Sequence, residues 1–188
     1  MAAPPSGELS ATVQIRWIGP EDAPAFQALR LSGLREAPTA FGSSYAEEKD
    51  EPVDVVRQRL VQPEGQARER GILGAFIGEQ LVGTMGIRRL TSVKQQHQLL
   101  IWGVYVSPLH RSGGIARAML AEALAFARTV PGALLVKLSV NAGNRAALQL
   151  YQAAGFSVYG TEPAALCIDG TLHDEHLMQW WLHAAPVP

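Results

Sequence analysis

Hydrophobic and polar residues follow two periods along the chain, and each period predicts its own elements. Alternation between residues 12 and 18 predicts a first strand, and a run rich in β-branched and aromatic residues at 99–106 predicts another. Apolar residues spaced three or four apart predict a helix at 115–128. Further strands are predicted at 72–77, 81–88, 134–140, 156–159, 164–168 and 171–181, further helices at 20–34, 52–61 and 145–154, and irregular segments at 36–50 and 90–98.

The order of these elements predicts a mixed sheet. Strands and helices alternate between residues 99 and 159, an order that implies parallel pairing. Gly78-Glu79-Gln80 and Asp169-Gly170 each join two neighbouring strands and predict antiparallel hairpins. We therefore expect an α/β fold, a mixed central β-sheet with helices on both faces, in a single domain over residues 11–184.

Composition narrows the classes of function. The chain has 188 residues, of which 47% are hydrophobic and 18% charged, as in a globular protein of one domain. Its formal net charge of −1 gives no attraction to nucleic acid or to an anionic membrane. Residues 1–10 lack the basic and apolar regions of a secretion signal and are predicted to form a disordered tail. No apolar run is long enough to span a membrane, so a cytoplasmic protein is expected.

The strongest local motif lies between a predicted strand and a predicted helix. It consists of Arg111, Ser112, Gly113, Gly114, Ile115, Ala116 and Arg117. The first N–H groups of a helix have no partner within the helix, and the helix dipole adds positive potential there. Glycines let an anion approach the backbone and arginines add charge-assisted contacts, so the motif predicts a pyrophosphate site. The alternative is that Gly113-Gly114 makes only a tight turn.

This motif and the segments around it resemble the GNAT superfamily of acetyl-CoA-dependent N-acetyltransferases. Arg111, Gly114 and Ala116 match the superfamily signature Arg/Gln-x-x-Gly-x-Gly/Ala after a strand. The flanking segments that also match are residues 101–108, 141–144, 150–151 and 155–156. The close resemblance therefore covers about residues 99–159.

The resemblance implies a fold, a co-substrate and a reaction. It implies the three-layer GNAT fold, with two parallel central strands that splay apart at the cofactor site. The amides of residues 112–117 would hold the pyrophosphate of acetyl-CoA, and backbone groups of Val104, Tyr105 and Val106 would hold the thioester and the pantetheine arm. An acceptor amine would attack the acetyl group directly in a ternary complex, without a metal. A homodimer is usual for proteins with this resemblance.

Asn144 and Tyr151 are candidates for contact with a linear ligand. They are seven residues apart, so on a helix they share one face at a separation of about 10 Å. Asn144 can donate and accept hydrogen bonds, and Tyr151 resembles the family tyrosine that protonates the departing thiolate. The alternative is that Asn144 only caps the helix and Tyr151 is a core aromatic residue.

A general base is harder to assign. Several GNAT members carry a glutamate on the fourth strand, where this sequence has Leu100. The best replacement segment is residues 173–176, in which alternation puts Glu175 and His176 on opposite faces of a strand. Glu175 is the first choice and His176 the second. The alternative is that both are solvated residues at a strand end.

The acceptor is an amine whose identity the sequence leaves open, either a small molecule or a peptide. Glu47, Glu48 and Tyr45 lie in a region that commonly lines the acceptor pocket in this fold, although such a charge run is also typical of a solvated helix start. The single cysteine, Cys167, excludes an internal disulfide and argues against a cysteine-based metal site. Three alternatives are a non-catalytic acyl-CoA-binding or sensor protein, favoured by Leu100, an interaction protein without a cofactor, and an acyltransferase that uses a longer acyl group.

Overall fold

A mixed sheet with helices on both faces makes up the part of the chain that the computed structural model describes, residues 12–62 and 68–183. The strands are β1 (Val13–Trp17), β2 (Arg70–Ile77), β3 (Gln80–Arg89), β4 (Gln98–Val106), β5 (Leu135–Asn141), β6 (Ser157–Ile168) and β7 (Thr171–Trp181). The helices are α1 (Ala23–Glu36), α2 (Tyr45–Glu48), α3 (Val53–Leu60), α4 (Ile115–Thr129) and α5 (Arg145–Ala153). The tail predicted at residues 1–10 and both ends of the predicted domain lie outside the described residues.

The strands are ordered β1-β2-β3-β4-β5-β7-β6 in the sheet. The pair β4 and β5 is parallel, and every other neighbouring pair is antiparallel. The two predicted hairpins are present, because β2 pairs with β3 and β6 pairs with β7. The predicted mixed α/β fold with splayed central strands is therefore confirmed.

Two layers of apolar side chains hold helices against opposite faces of the sheet. On one face, α4 buries the stripe predicted from its helical spacing, which consists of Met119, Leu120, Ala123, Leu124 and Ala127. Burying a leucine or methionine side chain stabilises a fold by about 1.5–3 kcal/mol, so this stripe fixes the helix firmly. On the other face, α1 and α3 enclose a smaller cluster around Phe76 and Leu60. Buried apolar contacts thus hold α1, α3 and α4 against the sheet.

The parallel pair separates soon after it begins. Gln98, Leu99 and Leu100 pair with Leu135, Val136 and Lys137, and no later residue of β4 pairs with β5. On its other edge, β4 shifts register against β3 between the pairs Gly86–Trp102 and Thr84–Tyr105, where β4 has one residue more than β3. Gly103 lies in this bulge with φ of +60°, a conformation that side chains disfavour. The bulge bends β4 away from β5 and opens a wedge between them.

Two segments differ from the sequence prediction. The strands predicted at 156–159 and 164–168 are one strand, β6, which is interrupted by a bulge between Glu162 and Leu166. Ala164 lies in that bulge with φ of +53°, and its N–H donates to Asp174 Oδ1 at 2.8 Å. Pro163 needs no ladder partner because β6 is an edge strand. The polar and proline-containing residues of the bulge interrupt the strand pattern, so the sequence predicted two strands.

The segment predicted to be irregular at 36–50 contains the short helix α2. Ser44 and Glu47 form a capping box: the Ser44 N–H donates to Glu47 Oε2 at 2.7 Å, and the Glu47 N–H donates to Ser44 Oγ at 3.3 Å. The Ser-x-x-Glu spacing is the sequence signal that could have predicted this helix. Among the described residues, no helix is long and apolar enough to cross a membrane.

Gly86 gives Trp102 its position on β4. A Cβ added to Gly86 would lie 2.7 Å from Cζ2 of the Trp102 indole, closer than nonbonded carbon atoms approach. We predict that Gly86→Ala lowers the unfolding free energy by about 1–3 kcal/mol, because the indole must leave its site. Thermal unfolding of the variant measures the effect.

Gly42→Ala is the matched control, since a Cβ at Gly42 meets no atom within 4 Å. Its melting temperature should equal or slightly exceed that of the wild type. Equal melting temperatures for both variants would mean that the indole moves aside without cost.

Candidate functional site

The wedge between β4 and β5 forms a cavity of about 660 Å³. This size falls within the range of ordinary ligand pockets. Of the residues proposed from sequence, those that line it are Val104, Tyr105, Val106, Arg111, Ser112, Gly114, Ile115, Ala116, Arg117, Asn144, Tyr151 and Glu175. Gly113 does not line it. The fold therefore brings together residues from four separate elements and one connecting loop.

The N-terminus of α4 forms one end of the cavity. Gly114 is its N-cap residue with φ of +78°, and Ser112 also has a positive φ of 68°. The first helical hydrogen bond runs from the Ala118 N–H to the Gly114 carbonyl, so the preceding amides have no partner within the helix. Gly114 offers no side-chain acceptor, and a Cβ there would meet no atom within 4 Å. These amides therefore face open space that suits an anion.

The two arginines of the motif have different surroundings. The Arg111 guanidinium donates from Nη1 and Nη2 to the Glu36 carboxylate, at 3.0 and 2.6 Å, and from Nε to the Val106 carbonyl at 2.9 Å. This pairing lowers the pKa of Glu36. Arg117 has no carboxylate within 4 Å among the described residues. Arg117 is thus the motif side chain that is free for an anion, whereas Arg111 ties α1 to the cavity rim.

The bulged part of β4 supplies backbone groups to the cavity. Because β4 has no pair with β5 after Leu100, the N–H and C=O groups of residues 103–106 that point toward β5 are open to the wedge. Thr84 Oγ1 donates to the Gly103 carbonyl at 3.3 Å, which fixes the bulge on the β3 side. The Tyr105 ring, buried against α1, anchors the strand from behind. The arrangement presents backbone donors in a fixed orientation.

Helix α5 forms the opposite wall of the cavity with Asn144 and Tyr151. Asn144 is the N-cap residue, and its Oδ1 accepts the Ala147 N–H at 3.1 Å, which leaves its Nδ2 donors for another partner. Tyr151 is 4% exposed and packs against Phe156, with ring centroids 5.9 Å apart. Burial raises the pKa of Tyr151 to about 12. Its phenol is therefore a neutral proton donor at every working pH.

The structure separates the two candidate bases. Glu175 lies opposite Asn141 in the β5–β7 register, is half-buried and lines the cavity. His176 does not line it, and its Nδ1 lies 2.9 Å from Thr161 Oγ1. Since Asn141 is the last residue of β5, Glu175 is at the wide end of the wedge. Leu100 shares a face of the sheet with its β3 partner Arg88.

A second cavity of about 370 Å³ lies between the sheet and helices α1 and α3. Trp102 lines both cavities. Arg30 reaches the same place: a Cβ on Gly103 would lie 3.4 Å from Arg30 Nη1. The two cavities therefore approach each other at the β4 bulge.

Sequence reasoning found only part of the second cavity. Glu48 lines it, and its two oxygens accept from Arg30 Nε and Nη2 at 2.9 and 2.6 Å, which lowers the pKa of Glu48. Glu47 caps α2 instead, and Tyr45 lies outside this cavity. Arg30 was missed because nothing in its helical pattern distinguishes it from an exposed residue. Among the described residues, no cluster of three histidine, cysteine or acidic side chains could hold a metal.

Comparison with known proteins gives one family. A family model described as the acetyltransferase (GNAT) family matches residues 32–156. An uncharacterized protein of Mycobacterium leprae (strain TN) is 32% identical over 107 residues, which are 57% of this chain and 28% of that protein. The chain thus spans little more than a quarter of the length of this curated relative.

Solved structures share the fold over most of the chain. A GNAT-family acetyltransferase from Streptococcus pneumoniae has a TM-score of 0.79 at 20% identity, covering 92% of this chain and 100% of that one. Ribosomal-protein-alanine N-acetyltransferase from Brucella melitensis has a TM-score of 0.76 at 25% identity, covering 90% of this chain and 99% of that one. The yncA protein of Salmonella typhimurium, solved with its cofactor acetyl-CoA, has a TM-score of 0.78 at 18% identity, covering 94% of this chain and 98% of that one.

Placing a carboxylate at the α4 N-terminus should abolish binding of acetyl-CoA. We predict that Gly114→Glu removes the thermal shift, because the new charge repels the pyrophosphate and fills its space. In the wild type, acetyl-CoA at a hundred times its dissociation constant should add about 2.7 kcal/mol of stability.

Gly132→Glu is the matched control, since Gly132 lies beyond the other end of α4, also has a positive φ, and also faces open space. Both variants should lose similar stability from backbone strain, and only Gly132→Glu should keep the acetyl-CoA shift. If folded Gly114→Glu kept the acetyl-CoA thermal shift, the N-terminus of α4 would not be the pyrophosphate site.

Proposed function

The chain belongs to the acetyltransferase (GNAT) family, and we propose that it is an N-acetyltransferase that transfers the acetyl group of acetyl-CoA to a primary amine. The observation that carries this proposal is that two cavities share Trp102 as a lining residue beside the β4 bulge. One has the anion-binding helix end expected for acetyl-CoA, and the other is open to a second molecule. The amine would attack the acetyl thioester beside the bulge, in a ternary complex and without an acyl-enzyme.

The chain's own groups would hold acetyl-CoA along the wedge. The amides that begin α4, from Ser112 to Arg117, would bind the pyrophosphate, with Arg117 adding a charge-assisted contact. The Nδ2 of Asn144 would donate to an amide carbonyl of the pantetheine arm. Backbone N–H groups of Val104 to Val106 would polarise the thioester carbonyl, a contribution of about 3–4 kcal/mol per donor in other enzymes.

Proton transfer at the sulfur would fall to Tyr151. A thiolate leaving group needs a proton donor that stays protonated during turnover, and burial keeps the Tyr151 phenol in that form. Its place two helical turns from Asn144 supports this role, because the pantetheine arm is linear and the sulfur lies at its end. Tyr151 is the proposed general acid.

Proton removal from the amine is assigned to Glu175. Glu175 lines the wedge between β4 and β5, whereas Leu100, at the position of the family glutamate, has no titratable group. Glu175 lies at the wide end of the wedge, so its action would pass through water. His176 is the second choice.

A non-catalytic acyl-CoA-binding or sensor protein is the second candidate, and Leu100 is the observation that favours it. Release of free coenzyme A thiol in the presence of a panel of primary amines distinguishes the two. Amine-dependent release supports the enzyme, and a thermal shift with acetyl-CoA but no release supports the sensor. The proposal includes a small-molecule or peptide amine as acceptor, a cytoplasmic location and a homodimer.

Removing the phenol of Tyr151 should slow turnover without loss of binding. We predict that Tyr151→Phe lowers kcat by about a hundredfold or more while the acetyl-CoA thermal shift persists, because only the proton donor is lost. Tyr159→Phe, at an exposed tyrosine outside both cavities, is the control and should keep wild-type kcat. Equal kcat for both variants would exclude Tyr151 as the acid.

Removing the carboxylate of Glu175 should change how the rate depends on pH. We predict that Glu175→Gln has lower turnover than the wild type at pH values where the acceptor amine is protonated, and that the difference shrinks at alkaline pH, where the solution itself deprotonates the amine. Rate–pH profiles measure this, with Glu122→Gln on the exposed side of α4 as the control. Unchanged turnover in Glu175→Gln at every pH would overturn the assignment.

A further inference from the structure

We propose that the acceptor amine also carries a carboxylate, which Arg70 and Arg88 bind at the rim of the second cavity. This inference rests on the proposed function, since it names the class of amine that the enzyme acetylates. It follows from the charges that line the cavity, from the register of strands β2 and β3, and from the distance between these arginines and the β4 bulge.

The second cavity has an excess of positive charge. Among residues 12–62 and 68–183, four arginines and two glutamates line it, in a chain whose formal net charge is −1. Both glutamates are already paired: Glu48 accepts from Arg30, and Glu51 accepts from Arg59 at 2.7 Å. The remaining charge is that of Arg70 and Arg88. A negative group on a ligand therefore strengthens its binding here, and a second positive group weakens it.

Arg70 and Arg88 lie directly opposite each other. They are partners in the antiparallel register of β2 and β3 and share one face of the sheet. Like charges in such a pair repel and destabilise the strands. Within residues 12–62 and 68–183, neither guanidinium has a carboxylate within 4 Å. A carboxylate between them would replace repulsion with two charge-assisted contacts, for which the planar guanidinium is well shaped.

The spacing fits a small molecule with an amine at one end and a carboxylate near it. Arg88 is two residues from Gly86, which pairs with Trp102, so about 7 Å of strand separates the arginine pair from the bulge. Leu100, opposite Arg88, carries no negative charge that would repel the ligand. With its carboxylate at the rim, such a ligand can direct its amine toward Trp102 and the thioester.

The test compares amino acids with their own amides, in the wild type and in variants of the two arginines. A panel of apolar and aromatic α-amino acids is assayed for thiol release, each beside its own primary amide. We expect kcat/KM to be about tenfold or more higher for the acid. In the double variant Arg70→Gln/Arg88→Gln the acid should lose at least tenfold through a raised KM, and the amide should change little. Arg70→Lys/Arg88→Lys should retain part of the preference because it keeps the charge.

Arg57→Gln is the matched control, because Arg57 is on α3 beside the cavity and does not line it. It should leave the ratio of acid to amide unchanged. O-phosphoethanolamine beside ethanolamine distinguishes a phosphate from a carboxylate as the anionic group. A preference for the phosphate alone, a preference for the amides, or equal rates for acids and amides would each overturn the proposal.

Direct binding separates this inference from the proposed function. Calorimetric titration of the same acids into the protein saturated with coenzyme A needs no turnover. Binding that is lost in the double variant supports the arginine site even if no amine is acetylated, an outcome that would refute only the enzyme. Acetylation of amines together with equal binding of acids by wild type and double variant would refute only the arginine site.

Discussion

The separation of two parallel strands is the constraint on which the rest of this structure depends. β4 and β5 pair over three residues each and then diverge, because the bulge at Gly103 turns β4 away. A parallel pair that continued would bury its backbone groups in the ladder and leave no room for a ligand. In the wedge, backbone groups that would pair in a continuous sheet have no partner on the neighbouring strand and are available to a ligand.

Helices on either side of the wedge convert this gap into a site. α4 begins where β4 ends and directs its free amides into the cavity, while α5 begins where β5 ends and adds Asn144 and Tyr151. Both helices follow their strands at the diverging ends, so the two helix starts lie on either side of one opening. This order of strand and helix therefore places the first residues of α4 and α5 along the same cavity.

Helix α1 links the two cavities through ion pairs at different positions along its length. Arg30 pairs with Glu48 beside the β4 bulge, and Glu36 pairs with Arg111 at the rim of the wedge. The Arg30 pair is the more buried, with side chains 11% and 24% exposed, against 45% and 37% for Arg111 and Glu36. Exposed pairs contribute little to stability, so the more buried Arg30 pair is the firmer of the two contacts. Helix α1 therefore lines the second cavity with Arg30 and holds Arg111, at the rim of the wedge, with Glu36.

The sequence by itself determined the features that depend on neighbouring residues. The glycine motif before α4, the Asp169-Gly170 hairpin and the apolar stripe of α4 all follow from local backbone preferences and helical spacing. Tertiary structure decided which way Glu175 faces, because alternation offers two faces and only the register with β5 selects one. It also decided that Arg111 pairs with Glu36, 75 residues away, and that Arg70 lies opposite Arg88. Such contacts join residues far apart in the chain, and their pairing is fixed by the packing of the whole sheet and not by any local pattern.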